Sequence, residues 1–418
     1  MSSPQNASSA SRPDRVDSPL ALRHISFHFD SSEPEKSALA LIEKYDPKWK
    51  TEEGPVEFVR FTDGITNTLM KAVKRRPGMT ELEIDRNAIL MRAYGKGTDV
   101  IIDRERELRA HNLLANLGLA PPLLARFDNG LMYAFIPGHV CSHLDLAKPE
   151  ISRQVAKMLG QWHSLPIGAI TSTPILNREP KAQEHLAPVN GNSTRPYPNT
   201  WATMRQWIEA LPKSTDEERE RITMIETELE WLEPKLGNTS FDGREFVFAH
   251  HDLLCGNVIV DIHSDAKEKP VSFIDYEYAT PGPAAFDIAN HFAEWAGYDC
   301  DHACVPNKAQ RREFIQHYVA SYRYHAIPEG DATIEIDFQK DIDTLMVQVD
   351  LFRGLPGFYW GIWALIQATI SQIDFDYVKY AEGRFKEYWS WKEDVTGERK
   401  KAGREQYVRE KKWQSSSS

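Results

Sequence analysis

Residues 246 to 261, FVFAHHDLLCGNVIVD, set His250, Asp252 and Asn257 in the pattern H-x-D-x-x-x-x-N, and a second acid, Asp275, follows in VSFIDYEY. This arrangement constrains the chain more than any other feature, because few tasks besides phosphoryl transfer need it. That reaction asks for one carboxylate to accept a hydroxyl proton, and for an amide oxygen and a further carboxylate to hold magnesium against nucleotide phosphates. Asp252 is therefore the candidate base. It orients the hydroxyl and takes its proton late, since a hydroxyl pKa lies far above 7. A structural Asp capping a turn is the plain alternative, but Asn257 and Asp275 complete the pattern. Both are hard oxygen ligands suited to magnesium. Glu277 shares a face with Asp275 by the period-two geometry of a strand, as a further metal ligand or as the partner of a base. His250 belongs to the catalytic motif, although a loop-shaping role paired with Asp287 suits it better than a chemical one. Asp287 sits in FDIANH at an expected helix start, where an N-cap is its plain alternative.

Around this motif the chain changes character once. ALRHISFHF reads as a strand and residues 37–45 as a helix. PVEFVRFTDGITNTLMKAVKR reads as two strands joined at Asp63–Gly64, a hairpin signal. RRPGMTELEID is expected to be a surface connection, and NAILMRAYG a buried strand. IIDRERELRAHNLLANLG is an amphipathic helix stopped by Gly118. PPLLARFDNGLMYAFIPG is a second hairpin. After Pro137–Gly138 helices dominate, apart from the patch at 246–277 and a Pro-, Asn- and Ser-rich loop expected at 171–200. The layout is α+β and bilobal: a disordered tail (1–18), a β-rich N-lobe on the nucleotide side (19–138), a helical C-lobe holding the catalytic loop and substrate pocket (139–391), and a charged, solvated tail (392–418).

The nucleotide side offers FTDGITNTL, where Gly64, Thr66 and Asn67 stand between two strands and backbone N–H groups could face phosphate. With one glycine the signal is weak, and turn chemistry explains it equally well. Arg92 lies on the third strand, where a kinase-type fold carries its phosphate-binding cation. Glu107 on the next helix is its expected partner, with Glu105 as competitor. On the acceptor side, GFYWGIWALIQ puts Trp360 and Trp363 on one helix face. Tyr278, Phe375 and Tyr380 add aromatic surface in the same lobe. Such faces attract an alkylammonium group by about 0.5 to 2 kcal/mol each, and Glu294 could supply the compensating charge. An aromatic stripe by itself is more often core.

Composition narrows the class. A net charge of −11 argues against a general nucleic-acid binder and suits a small cationic substrate. Four cysteines in 418 residues are too sparse for a disulfide framework and point to a reducing compartment. The string C300-D-H-A-C304 lacks a fourth zinc ligand nearby. The N-terminus has no apolar core of a secretory signal. The longest greasy run, residues 357–370, is too short to span a bilayer. A soluble, cytoplasmic protein is expected, with its oligomeric state open, a homodimer included.

Together these strings resemble the choline/ethanolamine kinase family. AHHDLLCGNVIV looks like its catalytic loop, IDYEYATPGPAAFDIANHFAEWAGYD like its signature segment, and YWGIWALIQATISQIDFDYVKYAEGRF like its C-terminal substrate helix. The resemblance runs from about residue 60 to 391. GTDVIIDRERELRAHNLLANLGLAPPLLARFDNGLMYAFIPG is closer to ethanolamine kinases than to choline kinases. The resemblance implies a protein-kinase-like phosphotransferase fold and ATP- and Mg2+-dependent phosphorylation of a small amino-alcohol, the first step of the CDP-ethanolamine route to phosphatidylethanolamine. It also implies that Asp252 is the base, that Asn257 and Asp275 hold the metal, and that Arg92 and Glu107 form the phosphate-side ion pair. Ala134 and Ile136 would offer backbone groups to adenine. Tyr278, Glu294, Trp360, Trp363, Phe375 and Tyr380 would line the ammonium pocket.

Three departures stand out. His251 replaces the Asn of the usual H-N-D, ATPGPAAFD is more Pro-rich than the usual Tyr- and Asn-containing stretch, and the 171–200 loop and both tails have no family counterpart. Choline kinase, or a dual enzyme, is the nearest alternative. Aminoglycoside phosphotransferases fit the catalytic loop alone. A non-catalytic kinase-like binding module rests on His251 only, and a protein kinase lacks its D-F-G and A-P-E landmarks.

Overall fold

The structure, a computed structural model, describes residues 22–61, 67–95, 97–168, 198–237, 239–327, 337–371 and 373–416. Gly64 and Thr66, and the loop expected over 171–200 as far as residue 197, lie outside the described residues. The first lobe is a six-stranded sheet of β1 (His24–Ile25), β2 (Val56–Phe61), β3 (Asn67–Lys74), β4 (Ile89–Tyr94), β5 (Leu123–Phe127) and β6 (Gly130–Ala134). Its order is β1-β5-β6-β4-β3-β2, with β1 parallel to β5 and the other neighbours antiparallel.

The expected first strand is cut to two residues. Past Ile25 the segment still follows β5, but Phe29 N–H turns to the Asn129 side chain at 2.8 Å and leaves the ladder. Helix α1 (Pro34–Tyr45) lays Ala38, Leu41 and Ile42 on the sheet against Met70, Met91 and Met132, at the i, i+3, i+4 spacing that makes one face. A short helix, α2 (Lys48–Thr51), follows. The expected surface connection contains a helix, α3 (Glu81–Arg86). Its cause was legible: Thr80 and Glu83 form a reciprocal capping box that satisfies two otherwise orphaned N–H groups. Helix α4 (Arg104–Asn116) runs from an Asp103 cap to Gly118, whose positive φ of 71° ends it.

The second lobe begins with β7 (His139–Val140), α5 (His143–Leu146) and α6 (Pro149–His163). It continues through α7 (Thr200–Glu209) and α8 (Asp216–Leu236) to the short strands β8 (Val247–Ala249), β9 (Val258–Val260), β10 (Val271–Phe273) and β11 (Thr280–Gly282). Strand β9 sits between β10 and β7, and β8 pairs with β11. The rest is helical: α9 (Ala284–Ala293), α10 (Lys308–Ala326), α11 (Phe338–Phe352), α12 (Leu355–Ile370), α13 (Tyr377–Val395), α14 (Glu398–Lys401) and α15 (Val408–Gln414). One apolar core runs through this lobe and a second lies under the N-lobe sheet.

Close helix approach is what aims the site residues. A Cβ at Gly160 would lie 2.6 Å from the Tyr318 carbonyl oxygen, so α6 and α10 meet backbone to backbone. Gly357 does the same for α12 and α13, with the Arg384 carbonyl oxygen 2.5 Å from where a Cβ would stand.

The C-terminal segment overturns its reading as a solvated tail. Trp413 is buried, its indole N–H bonds Asp350 at 2.7 Å, and Arg311 lies 4.0 Å over its ring. Glu410 is buried against Arg353 at 2.7 Å. The basic residues that looked solvated are one face of an amphipathic segment whose other face closes the core. No helix among the described residues is long and apolar enough to cross a membrane.

Candidate functional site

The catalytic-type loop hangs between β8 and β9 and is fixed from behind by one buried acid. Asp287, inside α9 rather than at its cap, accepts the N–H of His250 at 2.8 Å, the N–H of His251 at 2.7 Å and the Nε2 of His163 at 2.9 Å. Burial pushes the Asp287 carboxyl up, but the His163 hydrogen bond and the charge of the neighbouring histidines outweigh it and hold it below the usual carboxylate range. The expected pairing of His250 with Asp287 therefore runs through the backbone; the imidazole partner is His163, which sequence reasoning missed. The ring of His250 is fully buried on Trp162. Its Nε2 reaches Ile274 O at 3.1 Å and its Nδ1 accepts the Asp252 N–H at 3.3 Å. With both nitrogens spent on backbone groups, His250 shapes the loop and carries no proton to a substrate.

Asp252 and Asn257 are joined directly. The amide nitrogen of Asn257 donates to Asp252 O at 2.7 Å and to its Oδ2 at 3.1 Å, so the amide oxygen points elsewhere. Ile274 N–H donates to Asn257 O at 3.1 Å, which brings Asp275 beside the loop. Asp275 stands in the left-handed region at φ 64°. Its Oδ1 is buried and accepts no well-directed hydrogen bond, although Arg92 lies 2.9 Å away. Burial, then the charges of Asp275, Glu294 and Glu277, push the Asp252 carboxyl well above its usual range.

Of its two expected roles, Glu277 takes that of the partner of a base. The strand ends at Phe273, so the period-two argument stops before it reaches Asp275. Glu277 is buried and its carboxylate goes to Arg92, to Arg104 at 3.4 Å and to Asn67 at 3.2 Å. Arg92 on β4 thus meets Glu277, Asp275 and, at 2.9 Å, Glu107. Glu105 points outward, which settles the competition on α4. Arg104 was missed; it stands one helical turn before Glu107, binds it at 3.0 Å and covers the Tyr94 ring at 4.1 Å. The side chain of Asn67 points into this network; it was the backbone N–H of this residue that was expected toward phosphate. Breaking such a buried network from one side costs about 3–5 kcal/mol, so it is a stiff frame behind Asp275.

Elsewhere on the nucleotide side the placement is mixed. Ala134 ends β6, and its N–H is taken by Pro122 O at 3.0 Å, so that donor is not free for adenine. Ile136 lies past the strand end. A cavity of about 1380 Å3 opens against Asn67, Tyr94, Thr98, Arg104 and Gln367. Of the expected site residues it touches Asn67, but not Arg92, Asp252, Asp275, Ala134 or Ile136, so size alone does not make it the nucleotide cleft.

The aromatic residues assemble in two linked groups. Trp360 and Trp363 on α12 meet edge to face at 5.5 Å. The Trp363 N–H bonds the Tyr278 hydroxyl at 2.8 Å and the Trp360 N–H bonds Asn290 at 2.8 Å. Asn290 was missed, though it lies four residues before Glu294, hence on its face of α9. Phe375, 42% exposed, packs on Tyr377 and Tyr380, and Tyr377 links them to Trp363 at 6.0 Å. Glu294 is met by Arg384 of α13 at 3.4 Å. Burial pushes Glu294 up, and Arg384 opposes this. Arg384 carried no sequence signal, because the packing of α13 on α12, at glycines such as Gly357 and Gly361, brings it this close.

Such an arrangement can attract cations. Asp252 is buried within reach of the negative charges of Asp275 and Glu294, and a cation would relieve it. The residues fit magnesium through Asn257 and Asp275 plus a nucleotide, since this ion seldom takes an all-protein cage. No group of three His, Cys, Asp or Glu side chains among the described residues could hold a metal alone.

A family model for choline/ethanolamine kinase matches residues 58–389. A protein of Nematostella vectensis named "Probable ethanolamine kinase" is 34% identical over 382 residues, 90% of this chain and 98% of that one. "Ethanolamine kinase 1" of Homo sapiens is 31% identical over 371 residues, 86% of this chain and 72% of that one. Among solved structures, a Plasmodium vivax ethanolamine kinase aligns with a TM-score of 0.62 at 26% identity, over 85% of this chain and 88% of that one. A choline kinase of Cryptosporidium parvum aligns at 0.59 and 21% identity, over 87% and 97%, a likeness of fold.

Proposed function

The chain belongs to the choline/ethanolamine kinase family, and from that premise we propose that it transfers the γ-phosphoryl group of ATP to the hydroxyl of ethanolamine. What supports this reading is the loop in which Asn257 bonds the Asp252 carboxylate at 3.1 Å, together with the Trp360–Trp363–Tyr278 cluster, in a chain similar to ethanolamine kinases over most of its length. In the proposed mechanism Glu294 and the aromatic faces hold the ammonium, whose three N–H donors suit a carboxylate. Asp252 orients the hydroxyl and accepts its proton as the phosphoryl group moves. Asn257 and Asp275 would hold magnesium, which when bound neutralises charge on the phosphates. Arg92, gripped by Glu107 and Glu277, keeps Asp275 in place. The product, phosphoethanolamine, would enter the CDP-ethanolamine route to phosphatidylethanolamine. All four cysteines are free thiols, which suits a cytoplasmic enzyme.

Choline is the second reading, favoured by the two tryptophans, because a trimethylammonium group donates no hydrogen bond and relies on aromatic faces. Purified protein with ATP, magnesium and equal concentrations of both alcohols decides it. Phosphoethanolamine is the expected main product. A higher kcat/KM for choline overturns the ethanolamine assignment, and no turnover of either overturns the amino-alcohol reading.

A further inference from the structure

His251 stands where the family loop carries Asn, and it adopts the left-handed region at φ 63°, a conformation uncommon for any residue other than glycine. Something must hold it there. Its ring is fully buried, stacked on Tyr359 at 5.9 Å and against Phe286 at 5.3 Å. Burial lowers its pKa to about 4, so the imidazole is neutral, with one nitrogen donating and one accepting. Nδ1 lies 3.3 Å from the Tyr278 carbonyl, which can only accept, so Nδ1 carries the hydrogen. Nε2 therefore accepts from the Thr200 hydroxyl of α7 at 2.9 Å.

The backbone of the same residue is tied as tightly. Its N–H goes to Asp287, and its carbonyl accepts from Asn290 at 2.6 Å. Asn290 in turn accepts the Trp360 N–H, while the Tyr278 hydroxyl accepts that of Trp363. Residue 251, one position before the Asp252 carboxylate, is thus linked to both tryptophans: to Trp363 through its ring and Tyr278, and to Trp360 through its carbonyl and Asn290.

The second departure from the family pattern occupies the same spot. Gly282 lies in ATPGPAAFD, and a Cβ there would stand 2.6 Å from His251 Nε2 and 2.3 Å from Thr200 Oγ1. The glycine leaves open the space that the imidazole and the threonine fill.

We propose that His251 is a positioning residue that sets the span between the Asp252 carboxylate and the ammonium wall, and so selects the chain length of the amino-alcohol. This rests on the amino-alcohol reading of the site. Loss of the ring loosens both ends of that span, and misplacement of about 1 Å can cost up to about a hundredfold in rate. The test compares ethanolamine with 3-amino-1-propanol in the parent, in His251→Ala and in Thr200→Val, which removes the hydroxyl donor while keeping the side-chain shape.

The expected result is a kcat/KM for ethanolamine about tenfold lower in His251→Ala, a smaller loss in Thr200→Val, and a preference for ethanolamine that narrows about threefold or more in both. The KM for ATP should stay within about twofold. Equal losses on the two alcohols, or no change, overturn the role of His251. So does a His251→Ala protein that fails to fold while Thr200→Val keeps the parent's preference. A parent that phosphorylates neither alcohol overturns the reading of the site, a different result from equal losses in an active parent.

Discussion

Asp252 shows how far its surroundings, more than its residue type, set a residue's chemistry. Burial, with Asp275, Glu294 and Glu277 behind it, raises its pKa in the ligand-free protein. A base works only when deprotonated, so kcat/KM falls as pH drops through that raised value. The acid limb of the pH profile should therefore lie above the ordinary carboxylate value of about 4. Asp252→Asn should lower kcat by about 10²- to 10⁴-fold while nucleotide binding, followed by titration calorimetry, is kept. Equal rates in parent and variant would count against Asp252 as the base. That Asp252 and Asn257 share one loop and that Arg92 meets Glu107 was legible in the sequence, and the structure shows both contacts. Of the two roles Glu277 was given, its contacts show the pairing with a base, although the period-two rule that placed it beside Asp275 was carried past the end of a strand into a turn. Arg104 and Asn290 were overlooked although each lies one helical turn from a candidate residue, Glu107 and Glu294; Arg384 acts across elements far apart in sequence, where no spacing rule reaches.

At the scale of elements, the strands around the motif and the tryptophan helix were readable from alternation and helical spacing. The capping box of α3 was readable and overlooked. The C-terminal segment was misjudged because charge density was taken for solvation. In α15, Arg409, Glu410 and Trp413 are buried while its remaining charges face out. Trp413→Ala should destabilise the protein by about 3–5 kcal/mol, seen as a lower denaturation midpoint, and deletion from residue 398 should cost more. A truncated protein as stable as the parent would return this segment to the status of a tail. The segment also clamps α10, since Ser415 O accepts the Lys308 N–H at 2.9 Å.

For the whole molecule, the buried histidines set the response to acid. Burial depresses His111, His251 and His291 to about 4 each, against about 6.5 in an unfolded chain. The unfolded state thus takes up protons first. Stability is full above about pH 6.5, falls as pH drops from there to about 4, and stays lost below that, by up to about 3 kcal/mol per histidine. Buried carboxyls with raised pKa, such as Asp252 and Glu294, work the other way over the same range, so the histidine contribution is read by difference: the fall in Tm from pH 7 to 4.5 should be smaller in His111→Gln than in the parent, and an equal fall would contradict the burial argument. The α+β bilobal, protein-kinase-like fold and the kinase class were determined by the sequence alone. Short-range spacing encodes strands, helices and the loop motif, and one motif of that kind admits few folds. Only the tertiary structure decided that Glu277 braces Arg92, that Arg384 faces Glu294, and that His251 ties the catalytic loop to the tryptophan wall. Those contacts join residues tens to nearly two hundred positions apart, and packing of whole helices, permitted by glycines such as Gly357 and Gly282, brings them within reach.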